Sequence, residues 1–597
     1  MSFVLIKTYC IPFKFAQILL IFYWLNFLRV SDSFFSVYLI CGIFGICSIC
    51  QGKRKEYGLW NIVFVKIMSA LFSLGVILAN WRVFHDLNIK ADGTLSVFFL
   101  GLTYLSLFIA GYSIAFNSII FSADRLLHFS WTPHRRTGIQ IAVFAVISIT
   151  IFCTIDLLTL FLCDYPGALT PDSLWQMNQV TGGGYNNHHP FWHTMLIKGC
   201  VSIGLNIFHD INAAIALYSV FQIFLLSVCF TYALTTLYEM GVHVLVASLS
   251  LVFCAFMPYN IIYSFTMWKD ILFGGMTLVF IVAVYRVIYN IGNLRFNIVS
   301  LLYGGIGMCL LRSNGLFAFV LSVIVFALFF KRKYIRITGL FLGIIVISFI
   351  MSHPVLKAMN VAQTAFTESL SIPLQQIAKV VTDGRELSLE QKEMLGKVMD
   401  LSAVPHTYKN WLADPMKNLV GRSGNQEYLV QHKFEYFKVW LEIGLRYPAE
   451  YIEAWIDQTR GFWHGGYTRF PWDLWSIGEN SLGINLKINS YSAAELRNSY
   501  LNLFGYNETF RPFWSIGFNF WILMLFFICN IINRRKTEAF MAVPAIAVSL
   551  SLMIATPLYY EFRYAYATFT CLPFIALCSV YAFNNRRRTV LENRTES

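Results

Sequence analysis

The side chains able to do chemistry are few in this sequence, and they stand at the ends of long apolar runs. The richest stretch is Asp164-Tyr165-Pro166-Gly167-Ala168-Leu169-Thr170-Pro171-Asp172-Ser173, continuing to His188-His189-Pro190-Phe191-Trp192-His193-Thr194. Its Pro-Gly pair marks a turn. On spacing alone, Pro171-Asp172 reads most simply as the N-cap of a helix. The sharper reading makes Asp172 a carboxylate held at a membrane surface as a general base. Two histidines four apart on a helix can bind zinc. Here Pro190 separates His189 from His193 and no H-E-x-x-H string is present. The spacing therefore favours substrate hydrogen bonding or local structure for His188 and His189, and no metal ligand is assigned.

Three further strings place charge where apolar runs break. Trp268-Lys269-Asp270 reads either as an interface anchor or as a cation facing a phosphate beside an acid that orients a hydroxyl or a basic partner. Leu311-Arg312-Ser313-Asn314-Gly315 offers a snorkelling arginine or a ligand for a departing phosphate. Glu561-Phe562-Arg563-Tyr564 repeats the situation. Its two charges are two residues apart, a poor helical pair that suits separate partners.

The composition says what must position these groups. The 597 residues are 57% hydrophobic and only 13% charged, with mean hydropathy +0.59; a soluble chain carries about 25% charged residues. The chain cannot cover itself with polar groups, so an all-α polytopic membrane protein is expected. Its net charge of +13 lies in short basic runs between apolar segments, such as Lys53–Lys55, Arg135-Arg136, Lys331–Lys333, Arg534–Lys536 and Arg586–Arg588. That is the pattern of cytoplasmic loops, not of a nucleic-acid surface. About fourteen runs are long enough to cross a bilayer, beginning with 11–30 and 33–50 and including 242–265, 314–330 and 337–351. The run 192–208 makes the inside–outside alternation consistent only if it does not cross. Both termini are then cytoplasmic. Asp164, Asp172, His188, His189, Lys198, Lys269, Asp270, Arg312, Asn314, Glu561 and Arg563 share the outer face. Ionisable groups at span ends are costly, and so many at one level point to a site.

The organisation expected is an N-terminal accessory block over 1–138, a core over 139–351 with its first outer loop at 164–210, a mainly helical extracytoplasmic domain over 352–512, and a C-terminal block with a basic tail over 513–597. In the outer domain, Ser388-Leu389-Glu390-Gln391 has capping-box form and Pro448 opens a helix. Asp414-Pro415 and His464-Gly465-Gly466 read as loops. Most of the thirteen cysteines lie in apolar runs and none in 352–512, so no disulfide framework is expected. No P-loop or nucleotide-binding glycine motif is present, and any donor must reach the outer face within the membrane.

The strings "PGALTPDS", "HHPFWHT", "WKDILFG", "LRSNGLFA", "IPLQQIA" and "EFRYAYA", over about 140–582, resemble the GT-C superfamily of integral membrane glycosyltransferases. They look closest to a bacterial branch in cell-envelope polysaccharide assembly. The resemblance implies a GT-C-like core and transfer of a sugar from a polyprenyl-phosphate donor to a glycan, lipid or protein acceptor among membrane lipids. It carries an acceptor-activating role to Asp172, with Asp164 second, and a second-loop acidic role to Asp270. Lys269, Arg312 and Arg563 become phosphate-facing candidates, with His188, His189, Asn314 and Glu561 beside the substrate. The adjacent Asp-Glu pair of the mannosyltransferases is missing. No cofactor is required, because no nucleotide diphosphate leaves; a divalent metal is allowed. The competing expectations are a transporter or flippase of lipid-linked saccharides, and a polysaccharide polymerase or ligase.

Overall fold

A computed structural model describes residues 57–80, 94–128, 133–466, 470–472, 474 and 477–595. The expected spans at 11–30 and 33–50 lie outside the described residues. The chain folds into helices with no strand among the described residues, only isolated bridges. In order, they begin α1 (Leu59–Ala79), α2 (Thr94–His128), α3 (Gly138–Cys163), α4 (Pro171–Gly182), α5 (Phe191–Phe208) and α6 (Ile211–Glu239). Then come α7 (Val244–Phe256), α8 (Pro258–Ser264), α9 (Lys269–Tyr289), α10 (Leu294–Leu310), α11 (Gly315–Phe330) and α12 (Ile335–Ser352). The principal helices of the domain that follows are α13 (Ser371–Thr382), α14 (Leu389–Val398), α15 (Lys433–Arg446), α16 (Pro448–Thr459) and α17 (Tyr491–Tyr506). The chain closes with α18 (Ile516–Ile532), α19 (Lys536–Ile554) and α20 (Tyr566–Thr595).

Among the described residues, eight helical stretches are long and apolar enough to cross a membrane, or nine if α7 and α8 form one bent span. This is a helical membrane protein, and these are fewer than the twelve of the fourteen expected runs that fall on described residues. The run 242–265 is not one straight helix. It bends by 58° between α7 and α8, where Pro258 removes a backbone donor. The 44-residue stretch Gly315–Ala358 counts once, yet as one rod it would be about 66 Å long, twice the bilayer core. It breaks at Lys331, whose φ is 49°, and the basic turn Lys331–Tyr334 folds α12 back against α11.

The core of the bundle is α9, enclosed by α6, α10, α19 and α20. It is apolar all round, as an enclosed span must be, and is buried from Asp270 to Arg286. Glycine lets α10 lie close to it: a Cβ at Gly304 would stand 2.6 Å from the Phe280 backbone nitrogen, the close approach that small residues permit between spans.

Helix α5 begins and ends at one end of the bundle. Before it, Asn187 N donates to Ala362 O at 2.8 Å. After it, Asn485 N donates to Asn212 Oδ1 at 2.9 Å, while Lys487 N reaches Tyr165 O at 2.7 Å. The helical domain covers this same end with a core of its own, built on Leu374, Ile377, Leu395, Val420, Leu429 and Tyr436. Ser388 and Gln391 form the expected capping box and Pro448 sits in the first turn of α16. Asp414-Pro415 is not a loop: it opens the short helix Asp414–Asn418, since proline is favoured in a first turn.

Candidate functional site

Two loops are zipped together to make the floor of the site. Ala168 N donates to Phe265 O at 3.1 Å and Met267 N to Ala168 O at 3.0 Å. Gly167 turns the first loop at φ 138°, and a side chain there would run into the Ser219 hydroxyl. The N-cap of α4 is Thr170, not Asp172. Thr170 N donates to Ser173 Oγ at 3.1 Å, and Ser173 Oγ donates to Met267 O at 2.9 Å. Trp268 Nε1 donates to Thr170 Oγ1 at 2.7 Å. These bonds fasten the start of α4 to the start of α9, so Asp172 is relieved of capping and stands beside Lys269.

A hydrogen-bonded chain beneath holds the second loop. Gln222 of α6 donates through Nε2 to Tyr263 O, Ser264 O and Thr266 O at 3.1, 3.0 and 2.8 Å. Its Oε1 accepts from Tyr218 at 2.9 Å. Tyr218 meets His193 Nε2 at 2.8 Å, and His193 Nδ1 meets Gln176 Oε1 at 3.1 Å. His193 is thus spent on structure and is not a metal ligand.

The ionisable groups gather above this floor. Arg563 Nη1 is 2.6 Å from Asp172 Oδ2, and Arg563 Nε is 3.6 Å from Glu561 Oε1. The Glu561–Arg563 pair therefore meets after all, because Glu561 is extended ahead of the 3-10 turn Phe562–Ala565, and residues two apart share one side of extended backbone. The Arg563 guanidinium lies 4.5 Å over the Trp268 ring and 5.2 Å over that of Tyr564. Arg312 Nη1 is 3.1 Å from Asp270 Oδ1 and donates to Tyr564 O at 2.6 Å. Asp270 is wholly buried, and neither carboxylate oxygen makes a hydrogen bond. Lys269 Nζ is 2.8 Å from His189 Nδ1. An ammonium only donates, so Nδ1 is the unprotonated nitrogen.

Charge and burial set the protonation states. Burial raises the proton affinity of Asp172, but Arg563 and Lys269 together outweigh it and hold the carboxyl below the usual carboxylate range. Burial, reinforced by Lys269, pushes His189 down to about 2. His188, exposed at the rim, is lowered by burial while Glu368 of the helical domain pulls the other way. Its ring stands 5.7 Å from Trp175 and 4.9 Å from His189.

The structure thus brings Asp172, His188, His189, Lys269, Asp270, Arg312, Glu561 and Arg563 to one place. It does not bring Asp164, which pairs with Arg497 of α17. Asn314 donates to Ser551 at 2.6 Å, linking α11 to α19, and Lys198 lies 5.1 Å over the Tyr185 ring. Sequence reasoning passed over Thr170, Ser173, Gln222, Glu368 and Arg497, whose roles depend on partners remote in the chain. It also passed over Asp156, the one acid in the apolar run of α3, which is buried beside Ser264 of α8. Among the described residues no three His, Cys, Asp or Glu side chains gather as metal ligands.

A family model described as "Family of unknown function (DUF6020)" matches residues 174–595. Its match covers most of the site but begins after Asp172. No curated protein and no solved structure matches the chain.

Proposed function

The chain belongs to the DUF6020 family of unknown function, and we propose that it is a GT-C-type glycosyltransferase that moves a sugar from a polyprenyl-phosphate to a cell-envelope acceptor at the outer membrane face. The observation that carries this reading is the Asp172–Arg563 pair at 2.6 Å, with Lys269 beside it. A phosphate entering here competes with Asp172 for Arg563. As Arg563 turns to the phosphate, Asp172 loses its main counter-charge and gains basicity. It then takes the proton of an acceptor hydroxyl as that oxygen forms its bond to the anomeric carbon. The bond from that carbon to the phosphate oxygen breaks, and its electron pair leaves with the phosphate. The phosphate gains one negative charge, and Arg563 and Lys269 are the fixed cations that meet it. Asp270 and Arg312, buried as a pair beneath, hold the start of α9 and the strap before α20 in register.

The same reading places the helical domain outside the cell, both termini in the cytoplasm and fourteen spans in the bilayer. It counts the bent pair, the 17-residue helices α10 and α18, both arms of the α11–α12 hairpin, and the apolar runs 11–30 and 33–50, which lie outside the described residues. The test is transfer by the purified protein in proteoliposomes from a polyprenyl-phosphate sugar. Asp172→Asn is expected to lower transfer by about 10²–10⁴-fold, the usual worth of a general base. Wild-type transfer by that variant refutes the assignment.

One observation favours a second reading, a transporter of lipid-linked saccharides. Asp156 is a buried carboxyl in a span, and it faces the helix pair broken at Pro258. Intramembrane acids and broken helices are features of transporters. Movement of lipid-linked sugar across the bilayer without a covalent product, lost in Asp156→Asn, would establish that alternative.

A further inference from the structure

Beyond the ion pairs, the rim of the site is built by two parts of the chain. The first is α4 with the loop after it. Trp175 lies one helical turn past Asp172, is 50% exposed, and leans on His188 and His189. The second is the helical domain, which grips the site on two sides. On one, Asn186 pairs with Ala362 and Thr364 Oγ1 donates to Asn187 O at 2.6 Å. On the other, Leu412 pairs with Leu558, Ala413 N donates to Pro557 O at 2.7 Å and Tyr559 N to Trp411 O at 3.0 Å. Trp411, 44% exposed, therefore stands two residues of pairing away from Glu561.

The polar groups of the rim are fixed rather than free. Lys417, buried, holds Glu368 at 2.6 Å and Asp414 at 2.7 Å. Glu368 remains partly exposed and is close enough to raise the proton affinity of His188.

We infer that this rim is a carbohydrate-binding subsite, with Trp175 as the stacking platform and Glu368 as the hydroxyl acceptor, where an acceptor glycan is received. The inference rests on the transferase reading and narrows its acceptor to a sugar chain. A sugar ring has an apolar C–H face and a polar edge. It needs an exposed flat ring beside a fixed acceptor, which Trp175 and Glu368 with His188 supply. An acyl chain gains nothing from a carboxylate and an imidazole at the same spot and would pay to desolvate them. A tryptophan serving as a lipid anchor has no use for a held carboxylate next to its imidazole neighbour.

The test uses the full chain in lipid nanodiscs and saturation-transfer NMR with chitotriose, cellotriose and maltotriose as probes. No donor lipid is present, so binding stands or falls independently of transfer. At least one trisaccharide is expected to receive magnetisation. Trp175→Ala and Glu368→Gln should each weaken its binding by about tenfold, while Trp175→Phe keeps it within about threefold. Undiminished binding in both Trp175→Ala and Glu368→Gln overturns the subsite, and so does the absence of saturation transfer to any of the three sugars in the wild type. If Trp175→Ala does not fold, Glu368→Gln and Trp175→Phe decide the question.

Discussion

Asp270 and Arg312 show how costly a charge becomes once the bundle closes over it. Both are buried, 3.1 Å apart, and the carboxylate has no hydrogen bond to fall back on. Removing one partner of such a pair leaves a naked buried charge and costs about 3–5 kcal/mol. Arg312→Ala should therefore lower the thermal midpoint of the purified protein markedly, and adding Asp270→Asn should restore much of it. Equal loss in the single and double variants would mean that Arg312 acts mainly through its bond to Tyr564 O. These residues stood out in the sequence because ionisable groups that interrupt apolar runs have few harmless places to go. Their partners did not. Asp172 and Arg563 are 391 residues apart, and nothing local told Asp172 from Asp164. The difference is made by Thr170, which takes the cap and frees Asp172, and by Arg497, which occupies Asp164.

Elements carry the next level of control. The histidine-bearing turn between α4 and α5 is held neutral by burial, with Lys269 adding to the effect on His189. Because His189 titrates lower in the fold than its free value of 6.5, protons favour the unfolded chain. Stability is full above that value and falls as pH drops through it towards about 2. Asp172 is likewise shifted down, from its free value of 3.8; its contribution is intact above that value and is lost only as pH falls below it. Acidification from pH about 6.5 to about 5 should thus destabilise the wild type, by up to about 1.4 kcal/mol per pH unit for one such histidine. His189→Asn, which keeps an acceptor for Lys269, should flatten the decline in thermal midpoint. An unchanged slope would assign the acid sensitivity elsewhere. The α7–α8 break was foreshadowed by Pro258 inside an apolar run that length alone read as one span. The three carbonyls tied to Gln222 carried no such mark, because a glutamine in a span shows its use only when its acceptors are in place.

For the whole molecule, the alternation of helix directions puts the ion cluster and the helical domain at one end and the Lys331–Tyr334 turn at the other. A cysteine introduced at Glu390 should react with a membrane-impermeant thiol reagent applied to intact cells, and one at Arg332 only after the membrane is opened. The reverse pattern would invert the topology and with it the direction from which the donor arrives. The helical domain lies over the site, stitched to both of its walls through 361–364 and 411–413. Apolar patterning made a helical membrane protein legible, and the long polar interval coincides with helices that share a core of their own. How that domain docks depends on short backbone pairings between segments without periodicity, which no pattern announces.

The central claim is that a lipid phosphate takes Arg563 from Asp172. A structure of the full chain in nanodiscs with undecaprenyl phosphate tests it most directly. The phosphate is expected between Arg563 and Lys269, with Asp172 released and facing Trp175. A phosphate bound elsewhere while Asp172 and Arg563 stay paired at 2.6 Å would contradict it.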